Sequence, residues 1–267
     1  MTRPSKSPDR GALAEQAERL LRAHHEDTPV LLANVWDASS ARAVEAAGFE
    51  FVATSSRAVA QVLGEPDDDS SDPDLIFSFT ARIARAVSVP VTADLEAGFG
   101  LAPSDLVSRL LEAGVVGCNL EDTDHHADGV LLDADRQAAY LAEVRAASEQ
   151  MGVHVVLNTR TDTFIRLVGD EAAQLEEAIR RGRLYLEAGA DCVYPIAVAS
   201  KDHVASLIAS VPGPLNFLAR RGGLSIDDLA GLGARRISLA SGVFHLVAER
   251  LGDILSALAS GAGFDDL

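Results

Sequence analysis

The chain of 267 residues has little cysteine and no long hydrophobic segment. Its two cysteines, Cys118 and Cys192, each lie inside a short apolar segment, which favours buried packing residues and predicts a reducing compartment. No apolar segment reaches the length that a membrane-spanning helix needs, and the polar residues 1–10 lack the hydrophobic region of a signal peptide. We therefore expect a soluble, cytoplasmic protein.

Basic residues are also scarce: 23 Lys and Arg stand against 40 Asp and Glu, and the formal net charge is -17. A protein of that charge repels the phosphates of nucleic acids and the anionic headgroups of membranes, so we expect neither as a partner. The overall charge does not exclude a small anionic substrate, because such a substrate responds to the local charges of its pocket.

Short apolar segments alternate with segments of helical periodicity along most of the chain. Eight such units predict an α/β protein, a closed (β/α)₈ TIM barrel with an extra N-terminal helix over residues 10–26. An open doubly wound sheet is the alternative, but no strand is followed by the G-x-G-x-x-G turn of a dinucleotide site. We predict a disordered tail over residues 1–9 and one barrel domain over residues 10–267. The predicted strands are 30–34, 49–54, 87–91, 115–120, 153–159, 191–194, 214–217 and 236–240.

One strand is followed by an acidic motif, TADLEAGFG, at residues 92–100. Positions i and i+2 of a strand share a face, so Asp94 and Glu96 are expected to point the same way. Two neighbouring carboxylates repel each other, and a divalent cation relieves that repulsion; hard oxygen ligands suit Mg²⁺ or Mn²⁺. The alternative interpretation is a solvated acidic turn at the end of a strand.

Polar side chains also follow several other predicted strands. In a (β/α)₈ barrel, the residues at the C-terminal ends of the strands form the active site. Carboxylates at adjacent strand ends can converge on one ion, whereas carboxylates scattered over helix faces cannot, so this placement favours a metal site over a solvated turn. The polar strand-end residues are Ser55, Asp94, Glu96, Glu121, Arg160 and Asn216.

Taken together, five segments resemble the isocitrate lyase/phosphoenolpyruvate mutase family in order and spacing. The resemblance implies a (β/α)₈ barrel that binds Mg²⁺ and a small 2-oxo or 2-hydroxy acid. It implies an enzyme that forms or breaks a C–C or P–C bond next to an enolpyruvate-type intermediate. It also implies a homo-oligomer, often a tetramer, in which paired subunits exchange the last barrel helix. The matching segments are 34–56, 63–67 (LGEPD), 92–100, 117–122 (GCNLED) and 158–163 (NTRTDT).

The resemblance also assigns individual residues to a metal site. Asp94 resembles the direct Mg²⁺ ligand of the family. Glu96, Glu121 and Asp67 match the acidic residues around it, which act mostly through bound waters. Glu96 stands where several members carry an aspartate, so the charge is retained on a longer side chain.

Further residues match the substrate contacts of the family. Ser55, Ser56 and Arg57 match the loop whose backbone N–H groups and serine hydroxyl hold the carboxylate and oxo oxygens of the substrate. Arg160 matches the arginine that pairs with the substrate carboxylate, a role that suits the two-pronged guanidinium. An ion pair with Asp162 or Glu121 at the barrel rim is the alternative. Asn216 matches a polar substrate contact of the lyases. The residues predicted to take part in catalysis are Arg160, Glu121 and Ser55.

Two departures from the family pattern bear on the reaction. The loop 123–132 contains no cysteine, although isocitrate and methylisocitrate lyases carry their catalytic cysteine there, and Pro195-Ile196 stand where phosphoenolpyruvate mutase has a histidine. We expect an oxaloacetate-type decarboxylation first, a methylisocitrate-type cleavage second and a phosphonomutase reaction third. A barrel that binds a 2-oxo acid without catalysis is the alternative of another class. His125 and His126 are candidate bases, although histidines in such a polar loop are usually solvated.

Overall fold

A computed structural model describes residues 8–166 and 169–267. The predicted disordered tail therefore lies mostly outside the described residues, and Asp9 already caps the first helix. The strands are β1 Val30–Leu32, β2 Asn34–Val35, β3 Val52–Thr54, β4 Val91–Asp94, β5 Gly117–Glu121, β6 Thr123–Asp124, β7 Val130–Leu131, β8 Val156–Thr161, β9 Cys192–Pro195, β10 Asn216–Leu218 and β11 Arg236–Ser238. The helices are α1 Arg10–Ala23, α2 Ala38–Ala46, α3 Ser56–Leu63, α4 Pro73–Ala84, α5 Pro103–Glu112, α6 Ala134–Gln150, α7 Glu171–Glu187, α8 Lys201–Ser210, α9 Ile226–Leu232 and α10 Gly242–Ala259, followed by a 3₁₀ turn Phe264–Asp266.

Parallel strands close into a barrel in the part of the chain that the structure describes. One sheet has the order β2-β3-β4-β5-β8-β9 and another has the order β1-β11-β10. Strands β1 and β2 are two halves of one strand interrupted at Ala33, and a parallel bridge between Val193 and Leu215 joins β9 to the segment before β10. Counting β1 and β2 as one strand, the ring has eight strands, which confirms the predicted (β/α)₈ barrel.

Helix α1 lies at the opposite end of the barrel from the C-terminal strand ends. Its buried residues are those that helical spacing predicts, Leu13, Ala17, Leu20 and Ala23. Leu20 is fully buried beside Gly117, the first residue of β5, where a Cβ would lie 3.1 Å from the leucine side chain. The extra N-terminal helix is therefore confirmed, and it covers the N-terminal end of the barrel. No helix in the described residues is both long and apolar enough to span a bilayer.

The predicted position of the third barrel strand, which is β4, is wrong. Residues 87–91 were expected to be the strand, whereas β4 begins at Val91 and ends at Asp94. Ser88 is held outside the sheet because its backbone N–H donates to the Glu45 carboxylate at 2.7 Å. Asp94 therefore belongs to the strand itself, and Glu96 lies beyond it with a φ of 52°. The two-residue alternation of a strand does not apply to Glu96.

Two segments expected to be turn or loop have regular structure. Ser55, Ser56 and Arg57 were expected to lie in a loop, but Ser55 caps α3, and Gly64 follows the end of this helix with a φ of 77°. The loop 123–132 contains the antiparallel pair β6 and β7. Both elements are short, and short elements carry too little periodicity to be distinguished from loops by pattern alone.

A buried histidine directly after α1 makes the stability of the fold depend on pH. His24 is fully buried, and its Nδ1–H donates to the Leu20 carbonyl at 2.7 Å. Burial, assisted by the positive charge of Arg236, lowers the pKa of His24 to about 4. The unfolded chain takes up a proton near pH 6.5 and the folded chain does not, so the free energy of unfolding falls as the pH falls from about 6.5 to about 4. The full change is roughly 3 kcal/mol.

Urea unfolding between pH 7 and pH 4 tests this expectation. His24→Asn keeps an N–H donor for the Leu20 carbonyl and removes the titration, so its unfolding free energy is expected to lose much less over that range. His25→Asn is the matched control, since His25 is exposed and is expected to leave the wild-type slope unchanged. Equal slopes in the wild type and His24→Asn would contradict the assignment.

Candidate active site

A cavity of about 360 Å³ opens at the C-terminal ends of the barrel strands. A cavity of about 620 Å³ beside α1 is larger, but it lies away from the strand ends that carry the polar groups. The strand-end cavity is lined by both carboxylates and guanidinium groups, the combination expected where charged substrates are held. Its polar lining residues are Asn34, Ser55, Ser56, Arg57, Asp67, Asp94, Asn119, Arg160, Tyr194, Arg220, Ser238 and Ser241.

Asp94 is held at the end of β4 by neighbours on both sides. Its Oδ2 accepts hydrogen bonds from the backbone N–H of Ser56 at 3.1 Å and from the Ser56 hydroxyl at 3.0 Å. Its own backbone N–H donates to the Thr54 hydroxyl at 2.9 Å. Asn119, level with Asp94 on the adjacent strand, approaches the other carboxylate oxygen at 3.5 Å. These contacts fix the orientation of a carboxylate that lines the cavity.

Glu96 lies near Asp94 although it is not on the strand. It is buried, and the backbone N–H of Asp69 donates to its carboxylate at 2.5 Å. Burial, together with the negative charges of Asp67, Asp94 and Glu121, raises the pKa of Glu96 to about 8. Burial likewise raises the pKa of Asp94. Four acidic groups are therefore close together, and two of them, Glu96 and Glu121, are buried.

Glu121 and Arg160 form a buried ion pair beside this acidic group. Strand pairing aligns the two residues, and Arg160 NH1 lies 2.5 Å from Glu121 Oε2. The same guanidinium binds Asp162 with two contacts, Nε–Oδ1 at 2.6 Å and NH2–Oδ2 at 2.9 Å. Burial opposes the charge, but Glu121 and Asp162 raise the pKa of Arg160 well above its usual value. Arg160 thus remains a cation at the edge of the cavity.

One of the two loop histidines forms a hydrogen bond with a residue of the site, and the other is mostly exposed to solvent. His125 Nε2 lies 2.5 Å from Glu121 Oε1, and only 13% of the His125 side chain is exposed. This hydrogen bond raises the pKa of His125. His126 is 67% exposed and lies 3.8 Å from Asp69. The expectation of two solvated histidines therefore holds only for His126.

The predicted substrate loop lies at the cavity, but its groups already have partners. Ser55 is buried and its hydroxyl accepts from the Ala58 N–H at 3.5 Å, and the Ser56 N–H is engaged by Asp94. Arg57 Nε lies 3.3 Å from Asp67, and 64% of the Arg57 side chain is exposed. The substrate roles of these three residues and the metal role of Asp67 stay predictions.

Asn216 lies beneath the cavity rather than in its lining. The side chain is fully buried, and its Oδ1 accepts from the Ser238 hydroxyl at 3.1 Å. Its role as a substrate contact stays a prediction. The two cysteines are fully buried, and burial raises the pKa of each thiol to about 12, so neither is a thiolate at neutral pH.

Sequence reasoning named Asp162 as an alternative ion-pair partner of Arg160, but it missed Asn119, Asn158 and Arg236, which also build the site. Asp162 anchors Arg160, and Asn119 is oriented by Asn158 Nδ2, which donates to its Oδ1 at 2.7 Å. Buried Arg236 donates to the same oxygen at 3.2 Å. The NTRTDT segment contained the signal for Asp162, whereas Arg236 comes from the opposite end of the barrel sequence and carried no local signal.

The acidic residues do not form a closed cage of direct metal ligands. Within residues 8–166 and 169–267, no three His, Cys, Asp or Glu side chains converge closely enough to hold one ion. This geometry differs from that of structural zinc or EF-hand calcium sites, where the protein supplies most of the ligands.

Comparison with protein families identifies the chain. A family model described as phosphoenolpyruvate phosphomutase matches residues 20–259, which is most of the barrel. The chain belongs to the phosphoenolpyruvate mutase family. This confirms the family that the five sequence segments indicated. The wider isocitrate lyase/phosphoenolpyruvate mutase superfamily contains both lyases and mutases.

Individual proteins similar to this chain have names that state different activities or none. An uncharacterized protein of Mycobacterium tuberculosis is 31% identical over 219 residues, 82% of this chain and 80% of the relative. Oxaloacetate decarboxylase 2 of Pseudomonas putida is 30% identical, over 78% of this chain and 68% of its own length. The crystal structure of a candidate phosphonomutase from Burkholderia cenocepacia has a TM-score of 0.85 and 33% identity, covering 91% of this chain and 99% of the other.

Proposed function

We propose that this phosphoenolpyruvate mutase family member is a Mg²⁺-dependent enzyme that cleaves a carbon–carbon bond of a small 2-oxo or 2-hydroxy acid through an enolate. The observation that carries the proposal is the fixed Asp94 carboxylate facing a small cavity that also contains the Arg160 cation. The cavity volume of about 360 Å³ is near the lower end of the roughly 300–1,000 Å³ usual for ligand pockets, which suits a small acid.

The residues present fit Mg²⁺ held largely through water. Mg²⁺ usually keeps several waters and binds through only one or two carboxylates, so the lack of three converging ligands among the described residues is compatible with it. Asp94 would be the direct ligand, with Glu96, Glu121 and Asp67 receiving the waters. Burial raises the pKa values of Asp94, Glu96 and Glu121, neighbouring carboxylates add to the rise, and a bound cation would stabilise all three in their ionised forms.

The ion and the protein side chains would have separate tasks. A bound Mg²⁺ would supply Lewis-acid chemistry next to Asp94. Arg160 carries a permanent positive charge beside the cavity and orients the substrate carboxylate. The N-terminus of α3, with Ser55 and Ser56, offers hydroxyl and backbone N–H groups at a helix end that attracts anions. Ser56 would have to share its donors with Asp94.

The need for a general base ranks the reactions, because neither candidate histidine, His125 or His126, lines the strand-end cavity. Decarboxylation of an oxaloacetate-like acid breaks the bond to the departing carboxylate, releases CO₂ and leaves an enolate that takes a proton from water. Cleavage of a methylisocitrate-like acid also needs a base for the hydroxyl proton. Both cysteines are buried thiols, and His125 is bound to Glu121. Decarboxylation therefore comes first and lyase cleavage second.

A phosphonomutase reaction is the second candidate function. It is supported by the likeness to the candidate phosphonomutase of Burkholderia cenocepacia, whose backbone matches with a TM-score of 0.85. The cavity lining also includes Arg220, a guanidinium that a phosphonate could use and that the sequence analysis did not anticipate.

A substrate panel tests the proposed function. Oxaloacetate, 2-methylisocitrate, phosphonopyruvate and carboxyphosphonoenolpyruvate are each incubated with the enzyme, with and without Mg²⁺, and the products are followed by NMR. We expect Mg²⁺-dependent formation of pyruvate from oxaloacetate. Phosphoryl migration without C–C cleavage of any compound would instead establish a phosphonomutase. Binding without turnover would indicate a non-catalytic 2-oxo-acid-binding barrel.

We further propose that a second copy of the chain covers α10, as the family resemblance implies. This helix has no buried residue, and four large apolar side chains follow its length at helical spacing. A monomer rarely exposes a continuous apolar stripe of this extent. The four residues are Val247, Leu251, Leu255 and Leu258, between 37% and 56% exposed.

The oligomeric state provides the test. The wild-type chain is expected to be a homo-oligomer by light scattering, and Leu251→Asp with Leu255→Asp is expected to shift it to monomer, because two charges would be buried without partners. Val130→Asp is the matched control, since Val130 is 54% exposed on β7, away from α10. A monomeric wild-type chain would contradict helix exchange.

A further inference from the structure

Three guanidinium groups line the strand-end cavity, and two of them are already paired. Arg57 lies 3.3 Å from Asp67, and Arg160 is bound to Glu121 and Asp162. Arg220, the third, forms no hydrogen bond or ion pair with an acidic side chain among the described residues, and it is exposed. The adjacent Arg221 has a different environment, because its NH1 lies 3.2 Å from Glu249 and it does not line the cavity.

The loop after β10 is shaped to hold Arg220. Arg220 lies directly against Gly223, where an added Cβ would come within 2.8 Å of the Arg220 Cγ and 3.1 Å of its Nε. A side chain at residue 223 would therefore displace the arginine. The preceding Gly222 has a φ of 74°, a backbone conformation that residues other than glycine rarely adopt. Two consecutive glycines thus let the arginine side chain lie close to its own loop.

Arg220 and Asp94 face the cavity from opposite sides of the barrel. Strand β4, which ends at Asp94, and strand β10, which precedes Arg220, are four strands apart in either direction around the ring. A ligand held near Asp94 and Arg160 would extend across the cavity toward Arg220. The cavity lining also includes three apolar side chains, Ile165, Ile196 and Leu218.

We propose that Arg220 binds a second acidic group of the substrate, so that the enzyme selects 2-oxo acids with two acidic ends over those with one. The inference rests on the proposed function and specifies its substrate class. The first acidic group lies with the 2-oxo group near Arg160, and the second, a carboxylate or a phosphonate, pairs with the Arg220 guanidinium. Arginine suits either group because its planar fork donates two hydrogen bonds at once.

Paired ligands with and without the second acidic group test the assignment. Oxaloacetate and 2-oxobutyrate have four carbons each, and only oxaloacetate has the second carboxylate; phosphonopyruvate replaces that carboxylate with a phosphonate. Dissociation constants, or KM where an acid is turned over, are measured with Mg²⁺ for wild type, Arg220→Met, Arg220→Lys and Arg221→Met. The diacid that binds with the lower Kd or KM identifies the acidic group that the enzyme prefers.

We expect Arg220→Met to weaken binding of the diacids about tenfold or more and binding of 2-oxobutyrate less than about twofold. Arg220→Lys should recover part of the loss, and Arg221→Met should resemble the wild type. An equal change for diacid and monoacid, or no change, would overturn the Arg220 assignment while leaving the proposed function in place. A wild-type protein that binds none of these acids would overturn both.

Discussion

Asp94→Asn is expected to lower kcat/KM by about 10³-fold or more, equivalent to about 4 kcal/mol, while the protein remains folded. Asparagine has nearly the same shape and still accepts the hydrogen bonds that Ser56 donates. It lacks the negative charge that the proposed Mg²⁺ site requires of its direct ligand. The loss therefore reports the charge of Asp94 rather than a disturbed loop.

Stability and ion binding separate this effect from misfolding. Burial raises the pKa of Asp94, so its ionisation at neutral pH disfavours the folded state, and the variant is expected to be at least as stable as the wild type without divalent ions. Mg²⁺ should raise the Tm of the wild type and not that of Asp94→Asn. Asp68→Asn, an exposed neighbour in the acidic loop, is the control that should retain activity. An unchanged Mg²⁺ response in Asp94→Asn would place the ion elsewhere.

Substitution of Arg160 is expected to affect both activity and stability. Arg160→Met leaves Glu121 and Asp162 buried without their positive partner, and breaking a buried pair in this way costs about 3–5 kcal/mol of unfolding free energy. Arg160→Lys keeps the charge but cannot reproduce the two parallel contacts with Asp162. We expect the lysine variant to fold and to lose roughly 10²-fold in kcat/KM, mainly through KM, because its carboxylate contact is misplaced.

A surface arginine with similar geometry provides the comparison. Arg180 makes two 2.7 Å contacts with Glu177 and is 52% exposed, so Arg180→Lys is expected to change stability by less than about 1 kcal/mol and leave kcat/KM unchanged. Urea unfolding and steady-state kinetics measure both effects. If Arg160→Lys behaves like Arg180→Lys, Arg160 does not contact the substrate.

Much of the fold could be predicted from sequence because its evidence is local. The apolar spacing of Leu13, Ala17 and Leu20 identifies α1, and alternation of strand-like and helical segments indicates a parallel sheet with helices. The boundaries were less reliable. The apolar residues before Pro90 resembled a strand, but Ser88 is bonded to Glu45 on α2 and the strand begins only at Val91. That bond joins residues 43 positions apart, which no short window contains.

Glu96 comes near Asp94 by a route that the strand rule did not predict. The strand rule predicted that it would lie with Asp94, and the structure does bring it near Asp94, Asp67 and Glu121. It does so through a left-handed backbone and a hydrogen bond from Asp69, neither of which is a property of a strand. The motif could show that acidic groups were concentrated, but not how the backbone arranges them.

By itself the sequence determined the repeating units, the acidic motif and the strand ends where polar groups occur, because each depends on residues close together in the chain. Only the tertiary structure decided which of those groups meet. It pairs Arg160 with Glu121 and Asp162, attaches His125 to Glu121 and keeps Asn216 below the cavity. It also brings Arg220 to the side of the cavity opposite Asp94. These residues are 126 positions apart in the sequence, and they face each other only because the parallel sheet closes into a ring.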